Sequence, residues 1–445
     1  MKTSRACLSV AAAFALAMPA AATPDYAKDI QADYEQSLGA LWDHFHRNPE
    51  LSFREYRTAE RMAKELRAIR GIRVTEKIGG TGVVGVLANG EGPVVLVRAD
   101  MDGLPVQERS GQPNASTVRQ VGVDGLEMPV MHACGHDVHI TALVGTARQL
   151  ARMRDRWKGT VVFVVQPAEE RLGGAAAMID DGLYTRFPRP DYALALHVTS
   201  ELPTGKIAAS EDIQYSSADS IDIRVHGVAT HGAAPHRGRD PVYLASQIVV
   251  GLQGIISREK GPLEPGVITV GAIHGGQKHN IIPEFVDLQL TVRANSKETR
   301  DMLIAAIERL ASGIASANGL PGDKLPTVKV IEGTPVTVND AALARRLNAA
   351  IAGALGEEVV LPFRQTNMGA EDFAFFVDPS LAIPGYYFVV GGSNPAWIDA
   401  AKEGGPPIAG HHSPLFRIDP EPSVRLGVEA MTTAVLDLLR PHDED

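Results

Sequence analysis

Apolar and polar positions divide the chain into two rhythms. Between residues 26 and 69, Leu38, Leu41, Phe45, Met62, Leu66 and Ile69 recur at helical spacings, with a break at Asn48-Pro49. Continuous apolar runs follow: VVGVLA at 83–88, PVVLVRA at 93–99, TVVFVVQ at 160–166 and DYALALHV at 191–198. Such runs, bounded by turn residues, predict strands buried on both faces. A helix predicted to run through Ala151 alternates with them, so the expected layout is a largely parallel sheet covered by helices.

From about residue 217 the rhythm changes. SIDIRVHG alternates as a strand, 240–260 reads as a helix opening at Asp240-Pro241, and VITVGAIHGG and FVDLQLTVRA are two more strands. A helix over 296–318 with Ser296 as N-cap and a last strand, TVKVIEG, complete the order βαββαβ, the ferredoxin-like unit. Helical and strand-like segments resume from about residue 339. The predicted fold class is therefore α/β: a catalytic domain at 23–215 and 329–445, interrupted by an inserted ferredoxin-like α+β domain at 216–328.

Composition narrows the function classes. The 445 residues are enough for two domains with real cores. A formal net charge of −10 and the lack of a basic stripe give no footing for nucleic acid. No segment after the N-terminus is long and apolar enough to span a bilayer. The first 22 residues combine Lys2 and Arg5, an apolar stretch from Ala6 to Met18, and small residues at Ala20-Ala21-Ala22. That pattern predicts a cleavable signal peptide and a periplasmic or secreted protein. Cys7 would leave with it, so Cys134 would be the sole thiol, with no partner for an internal disulfide. A lone thiol in an oxidising compartment must be buried or hold a metal.

The chemistry gathers around MHACGHDVHIT at 131–141, with Asp100 and Asp102 before it and Glu169-Glu170, His197 and His412 after it. Asp100, Asp102, Glu169, Glu170 and His197 fall at or just beyond the carboxyl ends of predicted strands, where open α/β sheets bind ligands. Singly, each has an ordinary explanation: a packed imidazole, a solvated acidic pair, a buried thiol beside a surface histidine. Brought to one rim of one sheet, they would repel or go unsatisfied without cations. Thiolate, imidazole and carboxylate together suit manganese, zinc, cobalt or nickel rather than magnesium or calcium. The competing chemistry is a cysteine nucleophile, Cys134 with His136 or His139 as base. It leaves Glu169, Glu170, His197 and His412 without a role.

The stretches RADMDGLPVQE, MHACGHDVHITALVGTA, QPAEE, GGAAAMIDDG, HGAAPH, HNIIPE, MGAEDFAFF and HHSPLFRID, in that order, resemble the metal-dependent aminoacylase and carboxypeptidase superfamily. The branch they resemble is that of hippurate hydrolases, bacterial N-acyl-amino-acid amidohydrolases and auxin-conjugate hydrolases. The resemblance implies two metal ions bridged by Cys134, one completed by Glu170 and His412, the other by His136 and His197. It further implies Glu169 as general base and Asp102 orienting a ligand from behind. His412 rather than its neighbour His411 fits the family pattern before Ser413-Pro414. In the insert, His231, Asn280 and Arg293 match positions that meet the substrate, an N-acyl amino acid, and the implied assembly is a homodimer formed through the insert. A dipeptidase or carboxypeptidase would use the same metal core.

Overall fold

The computed structural model describes residues 25–441, so the predicted signal peptide lies outside the described residues. The N-terminal helical segment forms as expected, broken between Arg47 and Tyr56. The central elements are then β1 (Ile72–Ile78), β2 (Gly82–Asn89), β3 (Val94–Asp100), α1 (His136–Arg152), β4 (Gly159–Gln166), β5 (Tyr192–Pro203) and β6 (Ile207–Ala209). The insert contributes β7 (Ser217–His226), α2 (Pro241–Gly254), β8 (Gly266–Gly275), β9 (Phe285–Ala294), α3 (Lys297–Ala317) and β10 (Thr327–Thr334). The chain returns through α4 (Ala341–Leu355), β11 (Val360–Pro362), β12 (Gly385–Ser393) and α5 (Pro420–Leu439).

Eight strands form one sheet in the order β1-β2-β4-β3-β5-β12-β6-β11. Its centre, β4-β3-β5-β12, is parallel, while β1-β2, β2-β4 and β12-β6 are antiparallel. The parallel centre is why those runs are apolar at every position: β4 and β5 bury side chains on both faces. One face packs against α1 and α5, the other against Met178, Phe373 and Phe376. Helix α1 is buried almost throughout and crosses α5 closely at Gly145, where a Cβ would stand 2.5 Å from Val428. Any larger residue there would push the helix that carries His136 off its neighbour.

The insert has its own core, built from the inner faces of β7 and β9 and from α2 and α3. Its sheet runs β8-β9-β7-β10, antiparallel at every pairing, which is the ferredoxin-like order expected from βαββαβ. Ser296 caps α3 by accepting the Thr299 N–H, and Asp240 caps α2. Strand β10 runs on to Thr334, past the boundary placed at 328, because it keeps pairing with β7 beyond a register shift at Ser220/Ile221, as far as Thr334 opposite Ala218. The stretch between β3 and α1 also holds a small hairpin, Arg119–Val121 paired with Glu127–Pro129. No helix among the described residues is long and apolar enough to cross a membrane.

Candidate active site

The site forms where β3, β4 and β5 end. Asp100 closes β3 and Asp102 follows it, Glu169-Glu170 lie just after β4, and His197 lies on β5. Cys134 and His136 flank Gly135, whose φ of +83° places it in the left-handed region. A Cβ on Gly135 would meet Val198 at 2.4 Å, so only glycine lets both neighbours face the same space. Among the non-glycine residues that share that backbone region are Ala168, immediately before Glu169, and His412 itself. Such conformations cost on the order of 1–2 kcal/mol each and persist only where surroundings hold them. Ala168 is held by its N–H donating to Glu55 at 2.9 Å, and His412 by its N–H donating to Ala133 O at 2.8 Å.

Two overlapping sets of donors result. Cys134, His136 and His197 form one, and Cys134, Glu170 and His412 the other, each with ligand atoms within 4.8 Å of one another. The Cys134 sulfur belongs to both. His197 Nδ1 lies 2.6 Å from Val198 O, which fixes its proton there and leaves Nε2 as a lone pair 3.4 Å from the sulfur. His411 Nε2 also donates to Val198 O, at 3.1 Å, so the geometry turns His411 away and brings His412 to Glu170, Nε2 to Oε2 3.4 Å. The His412 side chain is 56% exposed and stands at the rim, whereas His136 and His197 are buried.

Asp102 ties the set together from behind. Its two oxygens accept the Glu169 and Glu170 N–H groups, both at 3.1 Å, and Oδ1 stands 3.4 Å from His136 Nδ1. A carboxylate behind a histidine fixes the ring and raises its basicity as a ligand. Deeper still, Asp100 bonds His139 at 2.5 Å and Arg98 at 2.8 Å, and Arg98 reaches Glu371 through both terminal nitrogens. His139 accepts the Val198 N–H on its other nitrogen, so both its nitrogens are engaged and it is a strut rather than a base. Sequence reasoning gave Arg98, Glu55 and Glu371 no role. A charge inside the apolar run of β3 was the available signal, since a buried arginine needs acceptors.

The electrostatics call for cations. Burial, reinforced by Glu371 and Glu170, holds the Glu169 carboxyl well above its ordinary range. Burial, opposed by His136 and reinforced by Asp102, pushes Glu170 up to about 8. Burial would lower His136, but Asp100 and Asp102 carry it up to about 10. His136 Nε2 and Glu170 Oε1 are buried without a hydrogen-bond partner, 3.8 Å apart. Orphaned donors of this kind, aimed at one another, fit a pair of divalent ions. The thiol fits no nucleophile: burial, Glu170 and Glu169 push Cys134 up, and burial pushes the adjacent His197 down, so neither charges the other.

A cavity of about 800 Å³ opens over this set, lined by Cys134, Glu169, Glu170, His197 and His412 on one side and by Arg293 of the insert across from them. The structure does not bring His231 or Asn280 into it. They adjoin each other elsewhere on the insert, with His231 exposed and the Gly232 N–H bonded to Asn280 O at 2.8 Å.

Comparison with known proteins gives one answer. A hippurate hydrolase from Campylobacter jejuni is 36% identical over 79% of this chain and 86% of its own. Thermostable carboxypeptidase 2 from Saccharolobus solfataricus is 36% identical over 86% and 91%. The crystal structure of Bacillus subtilis YXEP, a dinuclear metal-binding peptidase, superposes with a TM-score of 0.72 at 27% identity, over 93% of this chain and 99% of that one. The model of peptidase family M20/M25/M40 matches residues 96–407. With two donor sets sharing one sulfur, the chain is a metal-dependent amide hydrolase and belongs to that family.

Proposed function

We propose that this protein is an exported two-metal amidohydrolase that cleaves the amide bond of N-acyl amino acids. The observation that carries the reading is that one cavity is lined both by the Glu169 carboxyl and by the half-buried Arg293 guanidinium. No carboxylate pairs with Arg293 among the described residues, and burial lowers its proton affinity, so an anionic ligand group would relieve it. An N-acyl amino acid supplies that carboxylate on the amine side of its amide. The hippurate hydrolase among the relatives acts, by its name, on such a compound.

Cys134, His136 and His197 would hold one ion, and Cys134, Glu170 and His412 the other; manganese, zinc, cobalt and nickel all suit these donors. When bound, such a pair polarises the amide carbonyl and acidifies a water. Glu169, outside the two triads that share the Cys134 sulfur though also close to His136 and Glu170, takes the proton of the attacking water and hands it to the departing amine. Asp102 keeps His136 and the two glutamates in register through the contacts given above. Arg293 fixes the carboxylate. His231 and Asn280, absent from their own chain's cavity, would serve the site of a second copy in a homodimer built on the insert. Export rests on the N-terminal stretch Lys2 to Ala22.

A carboxypeptidase or dipeptidase on the same core is the second reading, favoured by the Saccharolobus relative. One assay separates the two. Protein loaded with each metal is given N-acyl amino acids, the same compounds with the carboxylate amidated, and dipeptides. The expected result is hydrolysis of the N-acyl amino acids, loss of about 10- to 100-fold in kcat/KM on amidation, and no activity after chelation. Faster turnover of dipeptides would give the site to the second reading, and activity that survives complete metal removal would overturn both.

A further inference from the structure

One polar group on the cavity wall has no task in this scheme. Tyr215 ends the short strand Ile213–Tyr215, just before the chain enters the insert, and pairs with Thr337. Its ring lies 6.4 Å from that of His197 and 5.2 Å from that of Tyr387, nearly perpendicular to the latter at 82°. The two tyrosines differ in one respect. The Tyr387 hydroxyl donates to Glu371 at 2.6 Å, whereas no protein group among the described residues hydrogen-bonds the Tyr215 hydroxyl. Tyr215 shares the cavity with Cys134 and Glu169, and after burial the groups that act on its phenol most are Glu371, Cys134 and Glu169. The hydroxyl is therefore a donor without a protein partner on a residue that lines the same cavity as the donor set.

We infer that the Tyr215 hydroxyl donates a hydrogen bond to the carbonyl oxygen of the amide being cut, and that this bond strengthens as the oxygen becomes anionic. Several other donors on the cavity wall are committed elsewhere, while the buried Gln214 Nε2 is a second donor without a partner. The ring N–H groups of His197 and His411 both go to Val198 O, Thr366 goes to Glu201, and Ser220 goes to Glu332. Arg293 stands on the insert, suited to a carboxylate, and Arg364 is exposed. Tyr215 lies beside His197 of the donor set with its hydroxyl uncommitted. A neutral donor suits that place, because a second cationic side chain would be repelled by two divalent ions. No proton is transferred by Tyr215. It supplies a preorganised dipole where charge develops, and does so within a single chain, whereas His231 would have to come from a partner. The inference rests on the amide-hydrolase reading, not on which amide is preferred.

Tyr215→Phe deletes one oxygen and keeps the ring between His197 and Tyr387. Wild type and variant are compared on whichever amide, N-acyl amino acid or peptide, the wild type cleaves fastest, so a wrong substrate preference does not disturb this test. The expected result is a fall in kcat of about 100-fold with KM within about threefold. Metal content should be unchanged. A phosphonate isostere of that substrate, which carries anionic oxygens at the tetrahedral centre, should bind the variant more weakly by about the factor lost in kcat/KM. A kcat within threefold of wild type, an effect confined to KM, unchanged phosphonate affinity, or loss of metal from the variant would each overturn the inference.

Discussion

The floor of the cavity and its far wall are built in opposite ways. On the floor, the carboxylates behind the donor set are buried and engaged by several neighbours: Asp102 by two backbone N–H groups and Ser52, Asp100 by Arg98 and His139, Glu55 by Phe53, Thr81 and Ala168. On the wall, the open face of the insert's sheet carries Arg293 without a carboxylate, Ser220 bound to Glu332, and the exposed pair Arg224–Asp287. The floor is complete within one chain. The wall leaves His231 and Asn280 outside the cavity lining. A chemistry that needs fixed donors is thus placed on the rigid parallel sheet, and recognition is placed on a unit with its own core that can move or pair.

The sharpest way to break this comparison is at Glu169, the one floor residue proposed to act without holding metal. Glu169→Gln removes the base and keeps the shape. The expected result is a loss in kcat of roughly 10³- to 10⁴-fold, with both metals retained and KM little changed. Elemental analysis beside steady-state kinetics checks it. A variant that loses a metal would make Glu169 a ligand, and near-normal turnover would remove it from the mechanism altogether.

The same contrast explains what was legible in the sequence. Floor residues announced themselves because strand ends are readable: apolar runs stop, and Asp100, Asp102, Glu169 and Glu170 follow. The four insert strands were readable from period-two alternation, as in β9, whose burial alternates along most of its length. The struts were not. Arg98 finds Glu371 across 273 positions of sequence, and Glu55 finds Ala168 across 113, distances over which no local pattern carries information. Short strands were missed for a related reason. β6 and β11 are three residues each and hold their place only by pairing with each other and with β12. The rank of His412 over His411 came from the resemblance alone, and its physical basis needed coordinates: a left-handed backbone at His412 and a ring turned to Glu170.

The next test acts on the wall. His231→Ala should lower kcat by about 100-fold while both metals stay bound, if a second copy's His231 reaches the oxyanion. Glu169→Gln subunits are inactive for a different reason, so mixing the two variants under conditions of subunit exchange should restore part of the activity. One of the two sites in a mixed dimer would then hold both an intact base and an intact donor. Exchange demonstrated by mass, with no activity regained, would confine His231 to its own chain, and a monomer at assay concentration would do the same.

The smallest expected effect lies farther along the same sheet face. Arg224 forks onto Asp287 at 2.8 and 2.9 Å and lies 4.3 Å over the Phe285 ring, all of it in solvent. By appearance it is as well made as any contact on the floor. Solvent screens the charges, and holding two long side chains in one geometry costs entropy, so exposed pairs contribute little. Arg224→Ala should therefore leave kcat and KM unchanged and lower the melting temperature by no more than about 2 °C, a difference that shrinks in 1 M salt. Calorimetry at two salt concentrations beside the kinetics checks it. A melting loss several times larger that persists in high salt would show that the pair is shielded from solvent in the assembled protein, placing this edge of the insert against another copy. The wall would then be completed by assembly, as the floor is by folding.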